Sequence, residues 1–421
     1  MKPVPSATTT DTPPKDHEPT RTPARLGRLG PLLFLAHAGW MLPFSAAGTL
    51  IPAIMTEIDP DRKVALYGIL ATTGSLASMI ATIVIGALSD RTRTRLGKRN
   101  PWIASGGVVL AIAATAMSFT SDFPLLVALW ITLQVGLAVV LAPLFAVLPD
   151  RVAPGNLGKA SAVVGFGQLV AQSLGSVVAG ALITVPREGL RWLPWLIAVT
   201  TVLFVLLAPE PDNRDEPREA GSARALLRSF VPPSDRDFLL ALVGRFLLLM
   251  SFMSVLLYQL FVLTDYIGLG IEEAGRVIAT GGVVMAVSSG AATVLSGPLS
   301  DRLRRRKPIV ISASLIFAAA EVPLALSDSL AAFYTFLGVG GFAYGIYIAV
   351  DQALLAEVLP SSDDRAKDMG ILNIANTGPQ ILAPIVSGLV VTMIGYRSVF
   401  VIAIVLAVVS ALVLLPLRRV R

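Results

Sequence analysis

Phe123 to Pro149, Ala160 to Pro186 and Met369 to Tyr396 each run without a single Asp, Glu, Lys or Arg. Each exceeds the ~20 residues that an α-helix needs to cross the hydrocarbon core of a bilayer. In that layer the backbone has no water to bond, which leaves only helices or closed barrels. Barrel strands would show alternating segments of about ten residues, and these runs do not alternate. The expected fold is an all-α integral membrane protein with twelve transmembrane helices, over roughly 31–55, 67–88, 102–120, 123–148, 160–184, 192–208, 238–263, 275–298, 308–327, 330–358, 369–393 and 397–416. A composition with 54% hydrophobic and only 15% charged residues agrees.

Residues 1–30 are polar, rich in Pro and Thr, and read as a disordered cytosolic tail rather than a cleaved signal. Residues 209–237 carry charges of both signs and read as a cytosolic linker between an N-terminal bundle, 31–208, and a C-terminal bundle, 238–417. A short cytosolic tail, 418–421, follows. With both termini inside, the inner segments hold 27 of the 34 Lys and Arg, an asymmetry that fixes orientation in the cytoplasmic membrane. The net charge of +6 thus reports topology, and no nucleic-acid partner is expected. There is no cysteine and only two histidines, so neither a metal site nor another cofactor is expected.

The chain repeats itself. Gly86-Ala-Leu-Ser-Asp90-Arg91 recurs as Gly297-Pro-Leu-Ser-Asp301-Arg302, 211 residues later, each followed by a burst of basic residues and a proline. A shift of 208 sets Gln168 on Asn376, Gln172 on Gln380 and Gly180 on Gly388. Several matches near one offset indicate two related halves.

Two bundles of six with a Gly-x-x-x-Asp-Arg loop after span two and its echo after span eight resemble the major facilitator superfamily. The longer stretch Ser89-Asp90-Arg91-Thr-Arg93-Thr-Arg95-Leu-Gly97-Lys98-Arg99-Asn-Pro101-Trp102 is similar to the glycoside-pentoside-hexuronide:cation symporters and the sucrose transporters. The resemblance implies a conformational latch built from Gly86, Asp90, Arg91, Gly97, Lys98 and Arg99, with Asp150 and Arg151 as partners and Asp301 and Arg302 as the echo. The competing role of these bases is topology alone. Melibiose-type members carry cation-binding acids in span two, and Tyr67 to Ser89 has none, which favours proton coupling, or no coupling through that site, over sodium.

Polar residues deep in spans are the candidates for cargo and coupling. Tyr344, Tyr347 and Asp351 share one face of span ten. Burying an aspartate there costs ~2.5–3.5 kcal/mol on insertion scales, and Arg245 in span seven stands at similar depth as its partner. A movable pair would couple protons, whereas a permanent one would only pin two helices. His37, with Trp40 one turn on, either relays a proton or serves structure. Asn373, Asn376 and Gln380 form an amide stripe echoed by Gln168 and Gln172. With Gln134, Gln259 and Tyr258 they offer donors, acceptors and ring faces to a polyhydroxyl cargo, or hydrogen bonds between helices.

The expectation is a monomeric secondary transporter in the lipid bilayer that moves a small molecule by alternating access, with proton-coupled symport of a glycoside or small sugar as the main reading. The rivals are a proton antiporter exporting an amphipathic metabolite or drug, and a receptor or scaffold that moves nothing. No nucleotide loop and no hydrolytic constellation occur, so neither a pump nor an enzyme is expected.

Overall fold

In a computed structural model the described residues are 26–215, 235–303, 305–358 and 365–417. Most of the expected N-terminal tail, most of the linker, the last four residues and the side chains of Asp301 and Asn373 lie outside them.

The helices run in chain order as α1 (Leu26–Ile58), α2 (Lys63–Arg91), α3 (Asn100–Met117), α4 (Phe123–Arg151), α5 (Leu157–Ala181) and α6 (Pro186–Trp192 and Trp195–Leu207). Then come α7 (Arg236–Leu256, extended by Gln259–Phe261 and the π-turn Val262–Tyr266), α8 (Ile271–Leu303) and α9 (Arg306–Leu326). The last are α10 (Leu330–Thr335, the π-turn Phe336–Gly340 and Gly341–Val358), α11 (Arg365–Met393) and α12 (Tyr396–Leu414). Among the described residues, eleven are long and apolar enough to cross a membrane. The expected spans all fall on helices.

Local chemistry sets several boundaries. Asp122 caps α4 by accepting from Leu125 N–H, Asp235 caps α7 by accepting from Asp237 and Phe238, and Ser329 caps α10. Pro194 breaks α6 in two, because a proline mid-helix removes one hydrogen bond and clashes with the preceding turn. Prolines 43, 52, 143, 379 and 384 instead sit inside spans, where the surrounding helices shelter the interrupted backbone; on α11 the Tyr258 hydroxyl donates to Pro384 O at 2.8 Å.

α1 to α6 pack mainly on one another, and so do α7 to α12. The halves join along two seams, α5 on α8 and α2 on α11, which are equivalent under the internal repeat. α1 and α4 each touch both α2 and α5, while α3 and α6 stand farther out, so α1, α4, α7 and α10 flank the space between the seams. Both seams rest on glycine. Lipid offers helices no hydrophobic gain from associating, so close backbone approach supplies the packing instead. A Cβ on Gly275 would stand 2.8 Å from Gly180 O, one on Gly180 would strike Gly275 O, and one on Gly68 of α2 would stand 3.3 Å from the Pro384 carbonyl of α11.

Among the described residues, the ion pair and the ring contacts between the halves lie at the end opposite the doubled basic loops. There Lys63 pairs with Asp265 at 2.6 Å, and Tyr67 stands edge-on to Tyr258 and Phe261 at 5.5 and 6.0 Å. That end is closed. Since the chain has no native cysteine, a Lys63→Cys/Asp265→Cys pair should cross-link cleanly across it. Adding Gly180→Val should cut the yield severalfold by wedging the α5–α8 seam apart, whereas an unchanged yield would show that this seam does not govern closure.

Candidate functional site

Between the seams, about nine residues or ~14 Å into α7, Arg245 is 7% exposed and ion-paired to Asp351 of α10, which is 1% exposed. Its Nε also donates to Asn376 Oδ1 of α11 at 2.8 Å. Three helices of the second half therefore meet on one guanidinium. The nearby Tyr347 hydroxyl interacts with the Asp351 carboxylate, but neither it nor Asp351 Oδ1 makes a well-formed hydrogen bond among the described residues. Tyr344 lies flat on Phe252 with ring centroids 4.1 Å apart.

The first half builds a matching contact. His37 of α1 is fully buried, and its Nδ1 lies 3.3 Å from Trp40 Nε1 and 3.2 Å from Gln168 Nε2 of α5. His37–Gln168 and Arg245–Asn376 both span 131 residues, and each member is 208 residues from its counterpart. Phe145 of α4 covers the imidazole at 4.9 Å between centroids. Trp40 also packs edge-on against Phe44.

The remaining candidates scatter. Gln172 and Gln380 are partly or fully exposed on α5 and α11, and Gln380 donates to Asn376 O at 3.4 Å. Gln134 is buried against Gly74 of α2, with its Oε1 unpartnered among the described residues. Tyr258 and Gln259 sit at the closed end, where Tyr258 is spent on the Pro384 carbonyl. Glu321 of α9 is buried against Ser251 rather than Arg245.

The latch residues come together within the first half. Arg99 reaches Asp90 at 2.6 Å, Asp150 at 3.1 Å and Ser89 at 2.9 Å, and Lys98 reaches Asp150 at 2.9 Å. Gly97 turns the chain at φ +85°, a backbone that side chains resist. Gly86 faces open space on α2, Arg91 closes that helix, and Arg302 is exposed at the end of α8. Arg151 does not join Asp90 but donates to the Ala208 and Pro209 carbonyls at the start of the linker. Two linker residues that no sequence signal singles out join this cluster. Glu210 accepts from the Arg99 and Asn100 amides at 2.8 and 3.3 Å, and Asn213 bonds the Thr92 carbonyl and the Thr94 amide. Lys63 and Asp265 are equally hidden in the sequence, where Lys63 is one of several charges (Asp59, Asp61, Arg62) in its loop and nothing links it to Asp265.

Removing one member of a buried ion pair strands the other charge and typically costs ~3–5 kcal/mol, whereas removing both charges costs far less. Arg245→Ala should therefore lower the melting temperature of the detergent-purified protein more than Arg245→Gln/Asp351→Asn together. Equal losses would mean that packing, not charge, holds this site.

A 3-(3-hydroxy-phenyl)propionate transporter of Escherichia coli (strain K12) is 26% identical over 362 residues, 83% of this chain and 84% of that protein. The sucrose transport protein SUT1 of Oryza sativa subsp. japonica is 30% identical over 106 residues, only 24% of this chain and 19% of that protein. In fold the chain is similar to a bacterial homolog of the human lysosomal transporter Spinster, in its inward-facing and occupied conformation, at 15% identity. That likeness has a TM-score of 0.75 and covers 94% and 98% of the two chains. A D-xylose-proton symporter superposes with a TM-score of 0.69 at 16% identity, again over 94% and 98%. The profile of the Major Facilitator Superfamily matches residues 31–296 and 283–421, and the chain belongs to that family of secondary transporters.

Proposed function

We propose that the protein is a proton-coupled symporter of the cytoplasmic membrane whose cargo is a small aromatic carboxylate. The observation that carries this reading is the Arg245 guanidinium, held in mid-bilayer by Asp351 and Asn376, with the Tyr347 hydroxyl beside the same carboxylate. A cargo carboxylate and Asp351 compete for the same cation. A proton on Asp351 ends its claim, and Arg245 then takes the cargo. The empty site holds one positive and one negative charge; the loaded site holds a neutral acid and an Arg–carboxylate pair. The site thus carries zero net charge in both forms, and bidentate arginine geometry suits a carboxylate. The relative named for hydroxyphenylpropionate, matched over most of both chains, supports the same cargo class.

Glycoside symport is the second reading, favoured by the amides of Gln172 and Gln380, neither of them buried, and by the partial likeness to sucrose transporters. In either case the basic loops mark the cytosolic side, so the closed end is the outer one and the displayed state is open inward. Rocking about the two seams exchanges it for the outward-open state, and the charge cluster around Arg99 steadies the helix ends that must move.

In proteoliposomes, a pH gradient should drive uptake of 3-phenylpropionate, and a membrane potential alone should not. Asp351→Asn should reduce the uphill uptake at least tenfold while sparing exchange. Potential-driven uptake of the acid would refute the charge balance, and proton movement with a glycoside but with no acid would install the second reading.

A further inference from the structure

We infer that His37 is the second recognition point of the cargo site, donating a hydrogen bond from Nε2 to an oxygen on the aromatic end of a hydroxylated or alkoxylated aryl carboxylate. This rests on the carboxylate reading above and extends it.

The tautomer follows from the neighbours. Trp40 Nε1 can only donate, and it points at His37 Nδ1. Nδ1 therefore accepts, from Trp40 and from the Gln168 amide, and the neutral ring carries its proton on Nε2. Nε2 is buried with no partner among the described residues. A buried donor left unmet is unfavourable, so the first half holds a donor that lacks an acceptor among the described residues.

The internal repeat identifies the missing partner. In the second half, the residue equivalent to His37 is Arg245, the amide equivalent to Gln168 is Asn376, and an acid from α10 completes the set. In the first half α4 stands where α10 stands in the second, and it carries no acid between Phe123 and Pro149. His37 keeps the amide and has no carboxylate to bond. The two halves thus offer one anchoring cation and one neutral donor from equivalent places on α1 and α7, a polarity that fits a cargo with a carboxylate at one end and an uncharged acceptor at the other. Phe145, 47% exposed and lying over the imidazole, and Trp40 supply ring faces beside that donor.

The test compares three acids in proteoliposomes: 3-phenylpropionate, 3-(3-hydroxyphenyl)propionate and its O-methyl ether, which can only accept at the ring oxygen. The parent protein should show a KM about tenfold lower for both oxygen-bearing acids than for 3-phenylpropionate, and His37→Phe should bring that ratio to about one. A ratio that persists in His37→Phe, or a parent that ignores the ring oxygen, overturns the assignment while leaving the carboxylate reading intact. Failure of all three acids to move overturns both. Because the chain has only two histidines, ¹⁵N-histidine labelling of a His17→Gln variant leaves a single imidazole for NMR, independent of any transport defect. That signal should report the Nε2–H tautomer and shift with the hydroxylated acid but not with 3-phenylpropionate. An Nδ1–H tautomer, or no shift with the hydroxylated acid, overturns the proposal even if His37→Phe fails to fold.

Discussion

The hydrocarbon layer claims every backbone N–H and C=O of a spanning helix for the helix itself, so recognition falls to side chains, and few polar ones are present at mid-depth. That constraint shapes the rest of the molecule. Several of the polar groups that do lie deep are held in small sets, Arg245 with Asp351 and Asn376, His37 with Trp40 and Gln168, and Glu321 with Ser251. Elsewhere hydroxyls return to their own helix, as Thr73, Thr82 and Thr115 do to carbonyls one turn back. Where the halves must touch, glycine lets backbone approach backbone, because lipid leaves no hydrophobic gain to drive helices together.

Duplication gave the two halves one plan, and the differences between them carry the chemistry. Arg245 and His37 occupy equivalent places, and each is steadied by an amide from the helix that also forms a seam. The amide thus ties each basic group to a seam-forming helix. The acid stands on α10 alone, with none on α4 between Phe123 and Pro149, so in the proposed cycle a proton acts on one half while the other keeps its neutral donor. A transporter with identical halves would have no such division of labour.

Much of this was legible in the sequence because the determinants are long or charged. Uncharged runs longer than a bilayer crossing fixed the spans, and the pairing of Arg245 with Asp351 followed from matched depth and the cost of an isolated buried charge. The offset of 208 already contained the relation of His37 to Arg245, but a histidine above an arginine does not look like a match until both are seen to bond equivalent amides. Tyr258 reads in the sequence as a ring face for cargo, yet in the fold its hydroxyl is taken by the Pro384 carbonyl, a contact between residues 126 apart. The π-turns Val262–Tyr266 and Phe336–Gly340 shift the register of their helices by a fraction of a turn, and no composition announces them. Glu210 lay in a stretch that reads as generic linker, and only the fold shows its target.

That carboxylate also decides what the membrane surface can do beside it. The first amides of a helix are a ready seat for phosphate, since several N–H groups and the positive end of the dipole point the same way. At the start of α3, next to Lys98 and Arg99, such a seat would be the natural resting place for a lipid headgroup. Glu210 fills it from within the chain. The basic turn is thereby kept for protein carboxylates, and an anionic lipid must displace a tethered internal competitor before it can dock on the end of α3.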